Sequence, residues 1–412
     1  MSFKGSAFKY SIFFLITTLI ISFSYQLSAQ DKKTDNVRSA VDNVRMEYEK
    51  IIGRTIPSLN ILIQTPSDHI FVSSGNSPIT KDTYFRFASN TKNFTSTSIL
   101  NMQEDLWLNI KSKIIDNIPG SSISYIPDTP EFNIPYKNEI TIEQLLQHSA
   151  GVYDVDNDSV PGFNGLSYVD YMMYTKPGHQ YELSELVNQD AINKLSFFPP
   201  LQGYHYSNTG YTMLSEIIGR VYSYKTGSEK KYVDYIKDFI TGSSAPVPLD
   251  ISFPYLASDV MLPSPSVKGT MLTKDSTTIF NEVNISAHVG EGNGIGTMSE
   301  LNKYIRTLMK GENVLKKSSV ELMQHSVSDS NKTYALGCFY IKDLGYGHNG
   351  CIKGYLSLML YDPDSDVSVI VMLPENDYTK DEVSLVNGLK AIVNTGFAAR
   401  IALGYPGKLL AY

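Results

Sequence analysis

Strand-forming runs lie at the two ends of this 412-residue chain and are nearly missing between them. Near the N-terminus, "SLNILIQT" (58–65) and "HIFVSSG" (69–75) read as a strand pair around a turn at Pro66–Asp68. Near the C-terminus come "TYALGCFYI", "YGHNGCI", "YLSLMLYD" and "VSVIVMLP", followed by a predicted helix at 380–394. The stretch from about 104 to 285 reads as helices and loops rich in Tyr, Pro and Asn. A further helix, "TDNVRSAVDNVRMEYEKIIG", puts Val37, Val41, Val44, Tyr48 and Ile51 on one face and stops at Gly53. This order predicts an α+β fold, an antiparallel sheet flanked by helices with a mostly helical region inserted. The sheet region is expected over about 30–103 and 286–412, and the helical region over about 104–285. With 42% apolar residues the chain can bury a large core, which excludes disorder.

Residues 1–29 stand apart from this pattern. Lys4 and Lys9 precede "YSIFFLITTLIISFSYQLSAQ", and the next charge is Asp31. That is the layout of a secretory signal cut near Ala29, with an uncleaved membrane anchor as the alternative. The expected location is therefore periplasmic or secreted, with a membrane as partner only if the segment is retained. Without Lys4 and Lys9 the chain has 33 basic against 42 acidic residues, a net charge of −9. Such an acidic surface argues against a nucleic-acid partner. Oligomeric state cannot be read from it. The cysteines, Cys338 and Cys351, flank a predicted hairpin turning near Leu344. A disulfide and a pair of packed thiols are both compatible with that placement.

Chemistry enters at "FASNTKNF" (87–94), where Ser89 and Lys92 sit one helical turn apart at the start of a predicted helix, 89–103. A serine hydroxyl is inert near neutral pH without a base in reach and donors for the oxyanion its attack creates. A lysine on the next turn shares the serine's face, and burial makes its amine a base. The pair alone is a common coincidence, and a helix cap with a solvated lysine explains it equally well. Partners elsewhere change the balance. In "YHYSNTGY" (204–211), Tyr206 and Asn208 supply a phenol for proton relay and an amide for a lysine or a substrate carbonyl. In "GHNG" (347–350), a strand edge offers backbone N–H groups and a histidine.

Taken in order, these three elements resemble the signature of the serine β-lactamase and penicillin-binding-protein superfamily: S-x-x-K, then Tyr-x-Asn, then a Lys-Thr-Gly-like element. The flanks resemble it too: "DTYFRFASNTKNFTSTSILNMQEDLWLNI", "ITIEQLLQHSAGV", "GNGIGTMSELNKYI" and "YALGCFY…YGHNGCIKGYLSLMLYDP". The resemblance covers about residues 56–375 and points to the class C β-lactamase, D-alanyl-D-alanine carboxypeptidase and esterase branch. It implies Ser89 as nucleophile, Lys92 and Tyr206 as the proton-transfer pair, and Asn208, His348, Asn349 and Gly350 as substrate contacts. It implies an oxyanion hole from the backbone N–H groups of Ser89 and Cys351, and neither metal nor organic cofactor. The implied activity is an exported serine hydrolase acting on an ester or amide of a small-molecule or peptide substrate. β-Lactams, D-amino-acid peptides and simple esters all remain open. A module that acylates without efficient turnover is the alternative.

This chain departs from the pattern at Asn349, which lacks the usual hydroxyl, and at "PPLQGYHYSN", where the usual Pro-Gly is interrupted. Both departures bear on the substrate. His348 in place of lysine leaves two readings open: a titrating cation for a substrate carboxylate, or a neutral ring bonded to Tyr206 or the sheet. The literal Lys225-Thr226-Gly227 is expected to be a helix end with Gly227 as its C-cap. His148 is expected to hold a loop. "DVDND" (154–158) begins like a calcium loop but lacks the required Gly and Glu.

Overall fold

The computed structural model describes residues 30–280 and 282–412, so the leader expected over 1–29 lies outside the described residues. Helix α1 occupies 30–52. Strands β1 (Leu59–Gln64), β2 (His69–Ser74) and β3 (Phe85–Arg86) follow, then helix α2 (Thr91–Glu104). Next come α3 (Ile142–Leu146), α4 (Tyr168–Thr175), α5 (Leu183–Asn193), α6 (Asn208–Thr226) and α7 (Tyr232–Tyr235). Strands β4 (Gly269–Thr273), β5 (Thr277–Phe280) and β6 (Ile295–Gly296) lead into α8 (Met298–Met309) and α9 (Lys317–His325). The chain closes with β7 (Phe339–Ile341), β8 (Gly345–Ile352), β9 (Tyr355–Asp362), β10 (Val367–Leu373), β11 (Glu375–Tyr378) and α10 (Glu382–Ala402).

The two ends of the chain meet in one sheet of order β2-β1-β10-β9-β8-β7, antiparallel throughout. The join is β1 against β10, with Ile61 opposite Val371. Helices cover both faces, which is why β9 is buried at every position. Its Leu356, Leu358 and Leu360 enter the core with α1 and α10, while Met359 and Tyr361 enter the core with α2 and α8. Each leucine so buried contributes about 2 kcal/mol. α10 runs to Ala402, beyond the expected 394, because Phe397, Ala398 and Ala399 keep it buried against that core.

Two features were not anticipated. β4 and β5 fall inside the stretch expected to be helical, and β11 joins β4 in parallel to make a second, three-stranded sheet. The hairpin around Leu344 forms as expected, and of the two readings open for the cysteines the structure has the packed, free thiols. Cys338 belongs to the core on the α2 side and Cys351 packs against the core on the α1 side, so the sheet separates the thiols.

α2 is the axis on which the site is built. Every residue from Thr91 to Met102 is buried, an unusual position for so many polar side chains. They are tolerated because each hydroxyl finds a partner. Thr97 meets the Tyr304 hydroxyl at 2.8 Å, Thr95 donates to the Gly290 carbonyl at 2.5 Å, and Ser98 donates back to the Phe94 carbonyl at 2.9 Å.

Candidate active site

From Phe85 to Met102 a single residue escapes burial, and it is Ser89. It sits in a one-turn 3-10 segment, Ala88–Asn90, that leads directly into α2. The turn requires a left-handed backbone at Ala88 (φ 53°), which costs a non-glycine residue free energy and is held by its surroundings. Asn90 Nδ2 donates to the Phe87 carbonyl (2.9 Å) and to Ser357 Oγ on β9 (2.8 Å), and Ser357 Oγ donates to the same carbonyl (3.1 Å). On β8, Gly350 lies so close that a Cβ there would collide with the Phe87 carbonyl oxygen and stand 3.0 Å from Ala88 Cβ. The absence of a side chain lets the β8 edge, with Cys351 next to it, run alongside the nucleophile turn.

Lys92 is fully buried one turn on, with Nζ 3.1 Å from Ser89 Oγ. Its other contacts are Asn208 Oδ1 (2.6 Å), the Glu291 carbonyl (2.9 Å) and Glu291 Oε2 (3.1 Å). The ring of Tyr206 lies 4.8 Å from Nζ and that of Tyr211 5.5 Å, so aromatic faces cover the cation. Tyr206 and Asn208 straddle Ser207, the N-cap of α6, whose side chain accepts from Gly210 N (3.1 Å). The helix start therefore fixes both residues at once. The Tyr206 phenol lies on the Ser89 side of the lysine, and burial raises it well above the usual range, so it rests protonated.

His348 is buried, and burial first, then the nearby Lys92 charge, lowers its pKa to about 3. Of the two readings open for this residue, the geometry supports the neutral one, with Tyr334 as its partner. Its Nδ1 faces the Asn349 carbonyl (2.5 Å), an obligate acceptor, so Nδ1 donates and Nε2 accepts from the Tyr334 hydroxyl (3.0 Å). This corrects the expectation of a histidine cation for a substrate carboxylate. The Tyr334 oxygen in turn accepts from His148 Nε2 (3.2 Å), whose Nδ1 accepts from Ser207 N (3.1 Å). His148 thus holds its loop, as expected, and ties the second motif to the third. Asn349 pairs with Leu358, on the face opposite His348, and its side chain has no hydrogen-bond partner among the described residues. The literal Lys-Thr-Gly ends α6, with Gly227 left-handed (φ 66°).

Three side chains missed in the sequence complete the site. His288 Nδ1 donates to Glu291 Oε1 (2.6 Å) and faces Asp156 Oδ2 (3.4 Å), and Asn208 Nδ2 donates to that same Oδ2 (2.7 Å). With Lys92 these residues close a ring. Burial disfavours a charged His288, but the Asp156 and Glu291 carboxylates outweigh it and raise its pKa to about 10. The Asp156, His288 and Glu291 ligand atoms lie within 4.8 Å of one another, close enough to gather a metal ion. They are already engaged with each other, Lys92 and Asn208. In "DVDND", Asp154 accepts from Asp156 N (3.1 Å) and Asn157 Nδ2 (2.7 Å), an Asx-type turn that aims Asp156 at Asn208. A signal was present in "HVGEGNG": an acid wedged between glycines, three residues after a histidine. A cavity of about 730 Å³ lies elsewhere, against Glu216, Gly219 and Tyr232, and does not include Ser89.

A solvent-facing serine, a buried lysine on its helix and a tyrosine at a second helix start define an active-site-serine enzyme. The family model for Beta-lactamase matches residues 53–386, and the chain belongs to that family. Among curated proteins it is 28% identical to Penicillin-binding protein 4* of Bacillus subtilis over 40% of its own length, a match spanning 29% of that protein. Among solved structures it resembles the D-amino acid amidase of Ochrobactrum anthropi SV3 (TM-score 0.68, 17% identity, 89% of this chain and 99% of that one). It also resembles a D-stereospecific amidohydrolase from a Streptomyces species (TM-score 0.65, 20% identity, 85% and 98%). These structures share its β-lactamase-type fold.

Proposed function

We propose that this protein hydrolyses the amide bond of small substrates bearing a D-amino-acid residue, through an acyl-enzyme on Ser89. The observation that carries the reading is the contact of Lys92 Nζ with Ser89 Oγ, at the one point where α2's approach is open to solvent. Ser89 Oγ attacks the carbonyl carbon while its proton passes to the Lys92–Tyr206 pair. The Ser89 and Cys351 N–H groups receive the oxyanion, and Tyr206 delivers a proton to the leaving nitrogen. Water then attacks the ester, and the same groups run in reverse. The choice of D-amino-acid amides rests on what the two structural neighbours are named for. Export through residues 1–29 belongs to the same proposal. Among the described residues no helix is long and apolar enough to cross a membrane.

A fluorophosphonate probe with intact-mass readout tests the nucleophile: one adduct on the wild type and none on Ser89→Ala. An adduct retained by Ser89→Ala would sink the assignment. Steady release of ammonia from D- but not L-phenylalanine amide supports the substrate class. Turnover of a chromogenic cephalosporin alone, or a stable adduct with no turnover, would overturn it in favour of a β-lactamase or a penicillin-binding sensor.

A further inference from the structure

Lys92 has more partners than an amine can serve. An ammonium carries three N–H donors and no lone pair. Two of its contacts can only accept from it, Asn208 Oδ1 and the Glu291 carbonyl, and Glu291 Oε2 accepts as well while its carboxylate is ionised beside His288. Asn208 Oδ1 is the acceptor end of its amide because the other end, Nδ2, donates to Asp156. The three donors are thus taken, and Lys92 at rest is an ammonium that cannot receive the Ser89 proton. Tyr206 cannot receive it either, since its phenol rests protonated. For Lys92 to act as a base it must first shed a proton. An amide oxygen and a backbone carbonyl cannot hold one. Among the lysine's acceptors, only the Glu291 carboxylate can.

We propose that Glu291 takes the Lys92 proton and so makes the lysine the base for Ser89, a role that rests on the acyl-enzyme reading above. In acylation the Lys92 Nζ–H bond breaks as a Glu291 Oε2–H bond forms. Ser89 Oγ–H then breaks, its proton joins Nζ, and Oγ bonds to the carbonyl carbon while the carbonyl electron pair moves onto oxygen. When the intermediate collapses, the leaving nitrogen takes a proton through Tyr206 from Lys92, and Glu291 returns its own proton to Nζ. The serine proton ends on the leaving group, and the resting charges are restored. A substrate covering the site favours the first transfer, because it replaces a buried ion pair by two neutral groups as water leaves.

The groups facing Glu291 fit this role. Lys92 of α2 lies on Oε2 and His288 on Oε1, with Asp156 behind the histidine; the hydroxyls of Tyr206 and of Tyr232 on α7 complete the surroundings. His288 fixes Oε1 and leaves Oε2 to the lysine. The paired His288 and Asp156 charges keep the neighbourhood neutral when Glu291 loses its own charge. Glu291 touches no substrate, so it acts through Lys92.

The test is the rate of fluorophosphonate labelling from pH 6 to 9, in the wild type, Ser89→Ala and Glu291→Gln. Glutamine can still accept from Nζ but cannot hold its proton. The wild type, which moves that proton internally, should show a flat rate. Glu291→Gln should be slower at pH 7 by on the order of 10²-fold and then climb about tenfold per pH unit, because only lysine deprotonated by solvent reacts. A Glu291→Gln profile as flat as wild type, whether slowed or not, would assign the residue a structural role and overturn the proposal. Labelling of Ser89→Ala would instead remove the acyl-enzyme reading beneath it. Glu291→Asp, whose carboxylate can still hold a proton, supplies the second measurement: its profile should stay level across the same range, and a climb as steep as that of Glu291→Gln would overturn the proposal.

Discussion

Acid should unfold this protein partly through one histidine, and the size of the effect follows from where His348 sits. Burial and the Lys92 charge lower its pKa to about 3 in the folded chain, against about 6.5 for an unfolded one. The folded pKa is depressed, so the contribution is fully present above about pH 6.5 and is lost as pH falls toward 3. At pH 5 the unfolded chain protonates this histidine and the folded chain does not, which costs about 2 kcal/mol relative to pH 8. That figure is set by the unfolded pKa and barely depends on how far below pH 5 the folded one lies. His348→Gln isolates the effect: its amide oxygen can still accept from Tyr334, and it has no proton to gain. His148, also lowered well below the usual range by burial, and the carboxylates act in both chains and cancel. Urea unfolding of both proteins at pH 8 and pH 5 gives the comparison. The variant starts less stable, having lost the bond to the Asn349 carbonyl, but should lose about 2 kcal/mol less between the two pH values. Losses that agree within about 0.5 kcal/mol would refute a neutral, buried His348 and restore the cationic reading.

Three further outcomes are expected. The ratio of kcat/KM for a carboxylate-bearing substrate to that for its neutral analogue should stay level from about pH 6 to pH 8, since His348 does not titrate there; a ratio falling with pH would restore its anchoring role. Gly350→Ala should fold but label with fluorophosphonate on the order of 10²-fold more slowly, because its Cβ meets the Phe87 carbonyl and displaces the nucleophile turn, and wild-type labelling would contradict that packing. Arg54→Met should destabilise by about 3–5 kcal/mol in urea unfolding, because Glu375 (2.8 Å) and Asp377 (2.7 Å) would be left buried without a counter-charge. A loss below about 1 kcal/mol there would mean the carboxylates find another partner.

What was legible in the sequence was what spacing can carry. Ser89 and Lys92 share a helix face because they are three apart, and Tyr206 and Asn208 flank a capping serine because they are two apart. The six-stranded sheet was legible because most of its strands, β1, β9 and β10 above all, are apolar runs bounded by turns. β4 and β5 escaped notice because neither is a clear apolar run: "GTMLT" is half-exposed, "TTIF" is largely exposed, and β11, the other partner of β4, arrives about a hundred residues later. Glu291 was out of reach for the same reason, since 199 residues separate it from the lysine it holds.

The local chain nonetheless explains why an acid is at this spot. Gly290 is left-handed (φ 81°), and a Cβ on it would press into Ser215 of α6, so the 288–292 turn lies hard against that helix. The tight turn points both the carbonyl and the carboxylate of Glu291 at one lysine. A glutamine could replace the carboxylate as an acceptor, so satisfying Lys92's donors does not by itself require a charge. What glutamine cannot do is hold the proton. The buried carboxylate carries a desolvation cost that a purely structural contact would not need, and that cost is what sets Glu291 apart from the other residues around the lysine.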